Sequence, residues 1–270
     1  MFAMQPRPAP PLAGSLTELL RHAEWFDDPD RTDAAPVPSV LIVNDFYADP
    51  LAMRAAALDR RFVQYIPPDP AIVGEQLAAA NAHRRGRWLT SAFVIYHGAV
   101  AENPFIGTRL TPDTLRHRLE GLVGEPIDEE SWRTGGDYWN GAFHLLEAGF
   151  EVGAGVIHHH YKPRDVEGRG WSGVIYLSPD ASPSAGTSFW RNRATGRCVA
   201  SFGASYSFAP EDFELAYFAE NRFNRLLLFR ENVWHRVEHG FGAGKDARLT
   251  QTLFFKISDA GAARRPQNTE

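Results

Sequence analysis

The sequence predicts a mainly β protein of the α+β class, a β-sandwich or jelly roll with helices packed on one sheet. Two observations predict this fold. Segments with helix signals all precede residue 158 of the 270-residue chain, and short strand-like segments separated by turns follow it. Short strands broken by turns are typical of antiparallel sheets, and helices grouped in one part of a chain are typical of α+β proteins.

We interpret the chain as one domain with a flexible segment at each end. Residues 1–38 are rich in Pro, Asp and Ala, which is typical of a partly flexible arm. The domain is expected over residues 39–258, with a helical part over 39–135 and a β core over 136–258. Residues 259–270 are expected to form a flexible tail.

The helical part begins with a short apolar strand, Ser39–Val43, which is rich in β-branched residues. Asp49 as N-cap, with Pro50 at the first helical position, then predicts a helix. A second helix is expected over 111–124, where a glycine marks its end. Residues 69–83 are a candidate third helix.

The second half of the chain carries the strands of the β core. A strand over 150–157 ends in two β-branched residues and continues into three consecutive histidines. Four further strand-like segments follow the histidines, at residues 171–177, 186–190, 224–229 and 249–255.

The three histidines are the first candidate for function. Side chains alternate between the faces of a strand, so His158 and His160 point the same way, and His159 points the opposite way, into a second shell or into solvent. Two imidazoles at this spacing can bind one ion, and His235 from a distant strand can complete a triangular face. The opposite face then stays open for substrate and dioxygen. We therefore expect a metal site, with polar surface histidines as the plainer interpretation.

Arg248 and Thr250 occupy one face of the last strand. Their neighbours Leu249, Leu253 and Phe255 indicate a buried strand, where an unpaired charge would be costly. A planar guanidinium and a hydroxyl on one face can bind a single carboxylate through charge-assisted hydrogen bonds. A metal site that binds and activates a small dicarboxylate requires this order of groups, imidazoles followed by a guanidinium.

Six motifs occur in order between Asn140 and Lys256. They are His158-x-His160, Ile175-Tyr176-Leu177, Gly186-Thr187-x-Phe189, Arg225-Leu226-Leu227-Leu228-Phe229, His235-Arg236-Val237 and Arg248-x-Thr250. In this order they resemble the iron(II)/2-oxoglutarate-dependent oxygenases of the prolyl 4-hydroxylase type, and more narrowly a bacterial family of uncharacterised proteins in that superfamily. The resemblance covers roughly half the chain and implies a double-stranded β-helix.

The resemblance implies a role for each matched residue. His158 and His235 match the first and the distal histidine ligands of the family. The first metal motif of the family is His-x-Asp, so His160 departs from it. Arg248 and Thr250 match the pair that binds the far carboxylate of 2-oxoglutarate. No catalytic residue is expected beyond the metal centre.

Other polar residues are candidates for the same pocket. Asp165 or Glu167, from a Gly-rich loop, would provide the missing carboxylate ligand as an alternative to His160. Tyr176 is a candidate contact of the cofactor, with a core aromatic as the plainer interpretation. Three further candidates to face the pocket are Tyr138, Asn140 and His144.

The implied cofactors are iron(II) and 2-oxoglutarate. The implied reaction is hydroxylation or oxidation by dioxygen of a small molecule, an amino acid or a peptidyl side chain. Three neutral imidazoles leave the whole charge of the ion uncompensated, which favours an anionic ligand. Two alternatives stay open: a three-histidine dioxygenase that does not use 2-oxoglutarate and anchors its substrate on Arg248, and a non-catalytic metal-binding jelly-roll protein.

Composition argues against several other partners. A formal net charge of −5 argues against a nucleic-acid-binding surface. No apolar run approaches the ~20 residues that cross a bilayer, and no secretory signal is visible, so we expect a cytoplasmic protein. The single cysteine, Cys198, excludes an intramolecular disulfide. The sequence does not predict the oligomeric state, and a homodimer stays open.

Overall fold

The computed structural model describes residues 23–26, 40–64, 87–91, 113–150, 157–160, 169–201 and 209–258. Several sequence-based predictions lie outside these residues. They are the arm apart from residues 23–26, the helix at 69–83, the strand over 150–157 apart from its two end residues, and the tail at 259–270.

Three α-helices lie in the described residues: α1 (Pro50–Leu58), α2 (Asp113–Val123) and α3 (Glu129–Tyr138). The predicted N-cap of α1 is confirmed, because the backbone N–H of Ala52 donates to Oδ1 of Asp49 at 2.8 Å. α2 agrees with the predicted second helix and ends at Gly124, whose φ of 77° suits glycine. α3 has no counterpart among the predicted helices. None of the described helices is long and apolar enough to cross a membrane.

The described strands form two antiparallel sheets. They are β1 (Ala23–Phe26), β2 (Val40–Val43), β3 (Val63–Gln64), β4 (Trp88–Thr90), β5 (Phe143–Leu146), β6 (Gly170–Tyr176), β7 (Thr187–Asn192), β8 (Phe213–Ala219), β9 (Leu226–Arg230), β10 (His235–Val237) and β11 (Arg248–Lys256). The larger sheet has the order β1-β2-β9-β6-β11-β5-β4-β3, and the smaller has the order β10-β7-β8. The predicted mainly β architecture is confirmed.

β1 lies inside the segment interpreted as an arm. It pairs antiparallel with β2, from Ala23 opposite Val43 to Phe26 opposite Val40. The larger sheet therefore extends N-terminal to residue 39. Its four residues include none that is β-branched, and two aspartates follow them, so the strand signal is weak.

The helices pack on one face of the larger sheet. Leu249, Leu253 and Phe255 of β11 alternate onto this face and belong to one buried cluster with residues of all three helices. The helix residues in that cluster are Met53, Ala56, Ala57, Leu115, Leu119, Leu122 and Trp132, with Leu58 and Val123 packed against it. Each large apolar side chain buried here stabilises the fold by about 1.5–3 kcal/mol.

The smaller sheet packs on the opposite face of the larger one. Its residues Phe189 and Ala219 share a buried cluster with Tyr176, Leu227 and Phe229 of the larger sheet. Arg248, Thr250 and Thr252 of β11 alternate with Leu249 and Leu253 and so face this side. The space between the sheets is therefore where the predicted functional residues meet.

Candidate metal centre

Backbone hydrogen bonds join the histidine triplet to β10. The N–H of His158 donates to the carbonyl of His235 at 3.0 Å, and the N–H of His235 donates back at 2.9 Å. Two residues on, the N–H of His160 donates to the carbonyl of Glu231 at 2.7 Å. These bonds place the triplet beside the connection that leads from β9 in the larger sheet to β10 in the smaller one.

His158, His160 and His235 form a compact group. Each offers one ring nitrogen, and these three atoms all lie within 4.8 Å of one another. The ring centroids are 5.1 Å apart for His158 and His160, 4.3 Å for His158 and His235, and 4.7 Å for His160 and His235. Nitrogens on one ion lie about 3 Å apart when each bond is about 2.1 Å. The three ring nitrogens are therefore almost as close together as the ligands of one ion.

His159 lies outside this group. It is 3% exposed, and its ring lies edge-on to Trp234 with the centroids 4.9 Å apart. The predicted separation of His159 from its two neighbours is confirmed. A solvent-facing position is wrong, because Trp234 and a small apolar cluster cover this side of the strand.

Hydrogen bonds to Nδ1 orient two of the three rings and fix the tautomer of one. Nδ1 of His235 donates to the carbonyl of Val233 at 2.8 Å, since a carbonyl can only accept. Nδ1 of His160 lies 2.7 Å from Oγ of Ser172 in β6. The bond from Nδ1–H of His235 leaves the lone pair of that ring on Nε2, the arrangement in which histidine ligates a metal. The serine hydroxyl can donate or accept, so it holds the His160 ring in place in either tautomer.

Aromatic rings surround the group on the larger-sheet side. Phe229 lies 4.5 Å from His235 between centroids, and Phe254 lies 5.0 Å from His160. Burial, and after it the neighbouring His158 and His160, lower the pKa of His235 well below its ordinary value. His235 is therefore neutral at physiological pH, as a ligand must be.

Arg248 is anchored between the two sheets. It is 2% exposed, and its Nε donates to the carbonyl of Ala185 at 2.7 Å. The guanidinium carbon lies 5.5 Å from the centre of the Tyr176 ring. Burial lowers the pKa of Arg248, and Tyr176 and Glu238 oppose this shift. In the part of the chain that the structure describes, no carboxylate forms an ion pair with Arg248.

Thr250 lies directly opposite Tyr176 in the pairing of β11 with β6, and it shares a face with Arg248. Tyr176 is fully buried, and its hydroxyl lies 2.8 Å from Oγ1 of Thr187. Burial raises the pKa of this hydroxyl. Tyr176 is thus both a core aromatic and a neighbour of Arg248.

The remaining candidates from the sequence lie elsewhere. Asp165, Glu167 and the side chain of Tyr138 are outside the described residues. Asn140 connects α3 to β11, because its Nδ2 donates to the carbonyl of Trp132 and its Oδ1 accepts from the N–H of Phe254. The role of Asn140 is therefore structural.

His144 also lies between the sheets but is not free to ligate. It is buried, and its two ring nitrogens are bonded to Trp88 and Thr252. Four residues that lie around the histidines are absent from the sequence-based predictions. They are Ser172, Phe229, Glu231 and Phe254. Strand alternation is the signal that could have selected the three that lie in strands.

No family model and no curated protein matches the chain. Among solved structures, HygX from Streptomyces hygroscopicus, with nickel, 2-oxoglutarate and hygromycin B bound, aligns over 83% of this chain and 84% of that chain, at 14% identity and a TM-score of 0.44. Prolyl 4-hydroxylase from Phytophthora capsici aligns over 86% and 62%, at 12% identity and a TM-score of 0.39.

A prolyl hydroxylase from Trichoplax adhaerens, in complex with a hypoxia inducible factor peptide fragment, aligns over 57% of this chain and 60% of that chain. The identity is 14% and the TM-score 0.29. Prolyl hydroxylases, the type that the six motifs resemble, are thus among the matched structures, and the chain spans less than two thirds of each. At these identities and TM-scores the likeness is distant, so the chemistry of this chain depends on its own residues.

Proposed function

We propose that the chain is a non-haem iron(II) oxygenase that uses 2-oxoglutarate and dioxygen to hydroxylate or oxidise a small molecule, an amino acid or a peptidyl side chain. One observation carries the proposal. His158, His160 and His235 present three ring nitrogens within 4.8 Å of one another, in the same inter-sheet space as a buried guanidinium.

The three histidines fit a divalent transition metal. Nδ1 of His235 is held by a carbonyl and Nδ1 of His160 lies against a hydroxyl, which leaves Nε2 of each for the ion. The lowered pKa of His235 means that no proton competes for this nitrogen near neutral pH. Imidazole suits zinc, copper and nickel as well as iron. The histidines therefore indicate a divalent transition metal. The choice of iron among these metals depends on Arg248 and Thr250, which fit 2-oxoglutarate.

Arg248 and Thr250 fit the far carboxylate of 2-oxoglutarate. Nε of Arg248 is used by Ala185, and a carboxylate would pair with the terminal nitrogens of the guanidinium. Thr250 adds a hydroxyl on the same face of β11. Such an anion would give the buried guanidinium a counterion and remove the cost of an uncompensated charge.

Strand β7 and the residues just before it run from the metal end of the proposed pocket to its Arg248 end. Phe189 lies opposite His235, and Ala185, four residues earlier, accepts the bond from Arg248. Ala185 lies in the bend before β7. Four residues span at most about 14 Å even when fully extended, and the long Arg248 side chain covers part of this length. The remainder suits a short dicarboxylate held by the metal at one end and by Arg248 at the other.

The chain's own residues orient the reactants and exclude water. Phe229 and Phe254 place apolar surface beside two of the histidines, and Tyr176 and Phe189 add buried apolar surface between the sheets. When bound, iron and 2-oxoglutarate would supply oxidising chemistry that yields succinate and carbon dioxide and transfers one oxygen atom to the substrate. Such chemistry needs no side chain as general acid or base.

The same arrangement supports a double-stranded β-helix, or jelly roll, as the fold. Two antiparallel sheets share one buried cluster, and the histidines lie where the chain passes from one sheet to the other. The three described helices cover the outer face of the larger sheet. We propose a single domain over residues 39–258, which β1 extends by one edge strand.

Turnover without added substrate tests the proposed reaction. Purified protein supplied with iron(II), 2-oxoglutarate and air is expected to form succinate slowly, and 2-oxoglutarate added without oxygen is expected to change the visible spectrum. His235→Ala should abolish both signals, whereas His117→Ala, at an exposed position of α2, should leave them intact. No succinate and no spectral change in an iron-loaded protein would contradict the use of 2-oxoglutarate.

The third histidine favours a second candidate, a dioxygenase that takes all its electrons from the substrate. His160 stands where a carboxylate would be usual, and it is held in place by Ser172. In this case Arg248 would bind a carboxylate of the substrate. Oxygen consumption that depends on the substrate but not on 2-oxoglutarate would identify it. A protein that binds no iron(II) would instead leave only a non-catalytic role.

A further inference from the structure

We infer that Glu231 supplies, from just outside the ligand set, the negative charge that the three-histidine centre lacks. This inference rests on the proposed metal site and deepens it. Three neutral imidazoles leave the charge of a divalent ion uncompensated, and a charge buried without an opposite partner is costly. A nearby carboxylate would offset that cost and strengthen binding.

Glu231 is the residue that follows β9, at the end of the larger sheet nearest the histidines. It is 6% exposed. Its carbonyl accepts the bond from the N–H of His160 at 2.7 Å, and its own N–H donates to the carbonyl of Gly170 at 3.0 Å. The backbone of Glu231 is therefore held between a proposed ligand and the first residue of β6.

Strand alternation places the Glu231 side chain on the histidine side of the sheet. Phe229 and Ser172 lie opposite each other. Ser172 bonds to the ring of His160, and the ring of Phe229 lies 6.5 Å from it between centroids. Glu231 is two residues beyond Phe229, and Gly170 is two residues before Ser172, so both share this face. The step from Ser172 to Gly170 is about 7 Å along the strand.

Gly170 provides the space that the carboxylate occupies. A β-carbon placed on Gly170 would overlap the carboxyl carbon and both carboxyl oxygens of Glu231. The carboxylate therefore lies directly over the α-carbon of Gly170. The φ of Gly170 is not in the left-handed region, so this glycine is required for space and not for backbone conformation.

Glu231 acts from outside the ligand set. The compact group holds three imidazoles, and no carboxylate of the described residues belongs to it. The charge of Glu231 still reaches the centre, because interactions in a buried, poorly solvated region are weakly screened. Glu238 is another buried carboxylate, and it is held by Arg236 at 3.0 Å and by Ser188.

Cobalt(II) titration of the protein without 2-oxoglutarate tests this role. The positions of the cobalt bands report the ligands, and their growth reports the affinity. Glu231→Gln is expected to weaken cobalt binding by about 10- to 100-fold and to leave the bands in place, because the three imidazoles remain. Gly170→Ala should have the same effect with Glu231 still present. Glu238→Gln, the matched control at a residue that is 8% exposed, should bind cobalt like the parent protein.

The outcomes separate this inference from the proposed function. Affinities of Glu231→Gln and Gly170→Ala within about twofold of the parent would overturn the inference and leave the metal site standing, since outer residues of this kind matter by about tenfold or more. A shift of the bands in Glu231→Gln would also overturn it, by showing a direct ligand. A parent protein that binds no cobalt would overturn both. Gly170→Ala keeps the test valid if Glu231→Gln fails to fold, because only the end of one side chain must move.

Discussion

Trp88 and His144 form a buried hydrogen bond in which the indole N–H donates to Nδ1 of the imidazole at 3.0 Å. The other ring nitrogen of His144 lies 3.0 Å from Oγ1 of Thr252, whose hydroxyl donates to the carbonyl of Trp139 at 2.9 Å. An indole N–H can only donate, so Nδ1 must accept and the imidazole must be neutral. Protonation of His144 would break its bond with Trp88.

This pair predicts a pH dependence of stability. Burial, and after it the charge of Arg248, lower the pKa of His144 from 6.5 to about 3. Between these values the unfolded chain binds a proton that the folded protein does not, so the free energy of unfolding decreases as the pH falls. The slope from one such group is about 1.4 kcal/mol per pH unit.

Denaturant unfolding across this pH window measures the slope. His144→Gln is expected to reduce it by about the contribution of one proton, although the variant is less stable overall. The control is His117→Gln, at an exposed histidine of α2, which should retain the slope of the parent. Equal slopes in the parent and in His144→Gln would show that His144 does not carry this dependence.

Ser172→Ala is expected to weaken metal binding by about 10-fold. Oγ of Ser172 lies 2.7 Å from Nδ1 of His160 and fixes the orientation of that ring. Nickel(II) titration by calorimetry measures the change. Ser188→Ala is the matched control, because Ser188 is equally buried but bonds to Trp190 and Glu238 instead. An equal loss of nickel affinity in both variants would mean that Ser172 affects metal binding only by stabilising the fold.

The histidine triplet predicts that neighbouring substitutions have opposite effects. His158→Ala and His160→Ala should each abolish nickel binding at micromolar protein, because each removes one of three ligands. His159→Ala should leave the affinity almost unchanged and lower the free energy of unfolding by about 2 kcal/mol, through lost packing on Trp234. Loss of nickel binding in His159→Ala, with the fold intact, would contradict the proposed ligand set.

Arg248→Lys is expected to weaken 2-oxoglutarate binding by about 10- to 100-fold and to leave metal binding intact. Lysine keeps the charge but lacks the planar fork that pairs with a carboxylate. A 2-oxoglutarate titration of the iron-loaded protein without oxygen measures the effect. Arg54→Lys is the control, because Arg54 bonds to the carbonyls of Leu177 and Lys245 and not to the proposed ligand. Equal affinities in the parent and in Arg248→Lys would exclude Arg248 as the anchor.

Much of the site follows from local sequence rules. Strand alternation selects His158 and His160 and separates them from His159, and the structure agrees because the triplet lies extended beside β10. The buried face of β11 follows from its alternating apolar residues, Leu249 to Phe255. Such rules work where one strand alone determines which side chains share a face.

The partners of these residues depend on strand register, which no local pattern contains. Ser172 meets His160 only because β6 and β9 pair in one particular register, and Gly170 receives the carboxylate of Glu231 for the same reason. α3 is absent from the predictions because its sequence includes two glycines and Trp132 is the one large apolar residue of its first two turns. Packing on β11 stabilises this helix despite its weak intrinsic preference.

His235 belongs to the smaller sheet, whereas His160 is tied through its ring to Ser172 in the larger sheet. An ion bound by both would fasten the two sheets together, and binding to the folded state alone raises its stability. Iron supply would then govern how long the protein survives proteolysis. Its abundance in a cell should therefore fall when iron is scarce, because the metal-free form unfolds more readily.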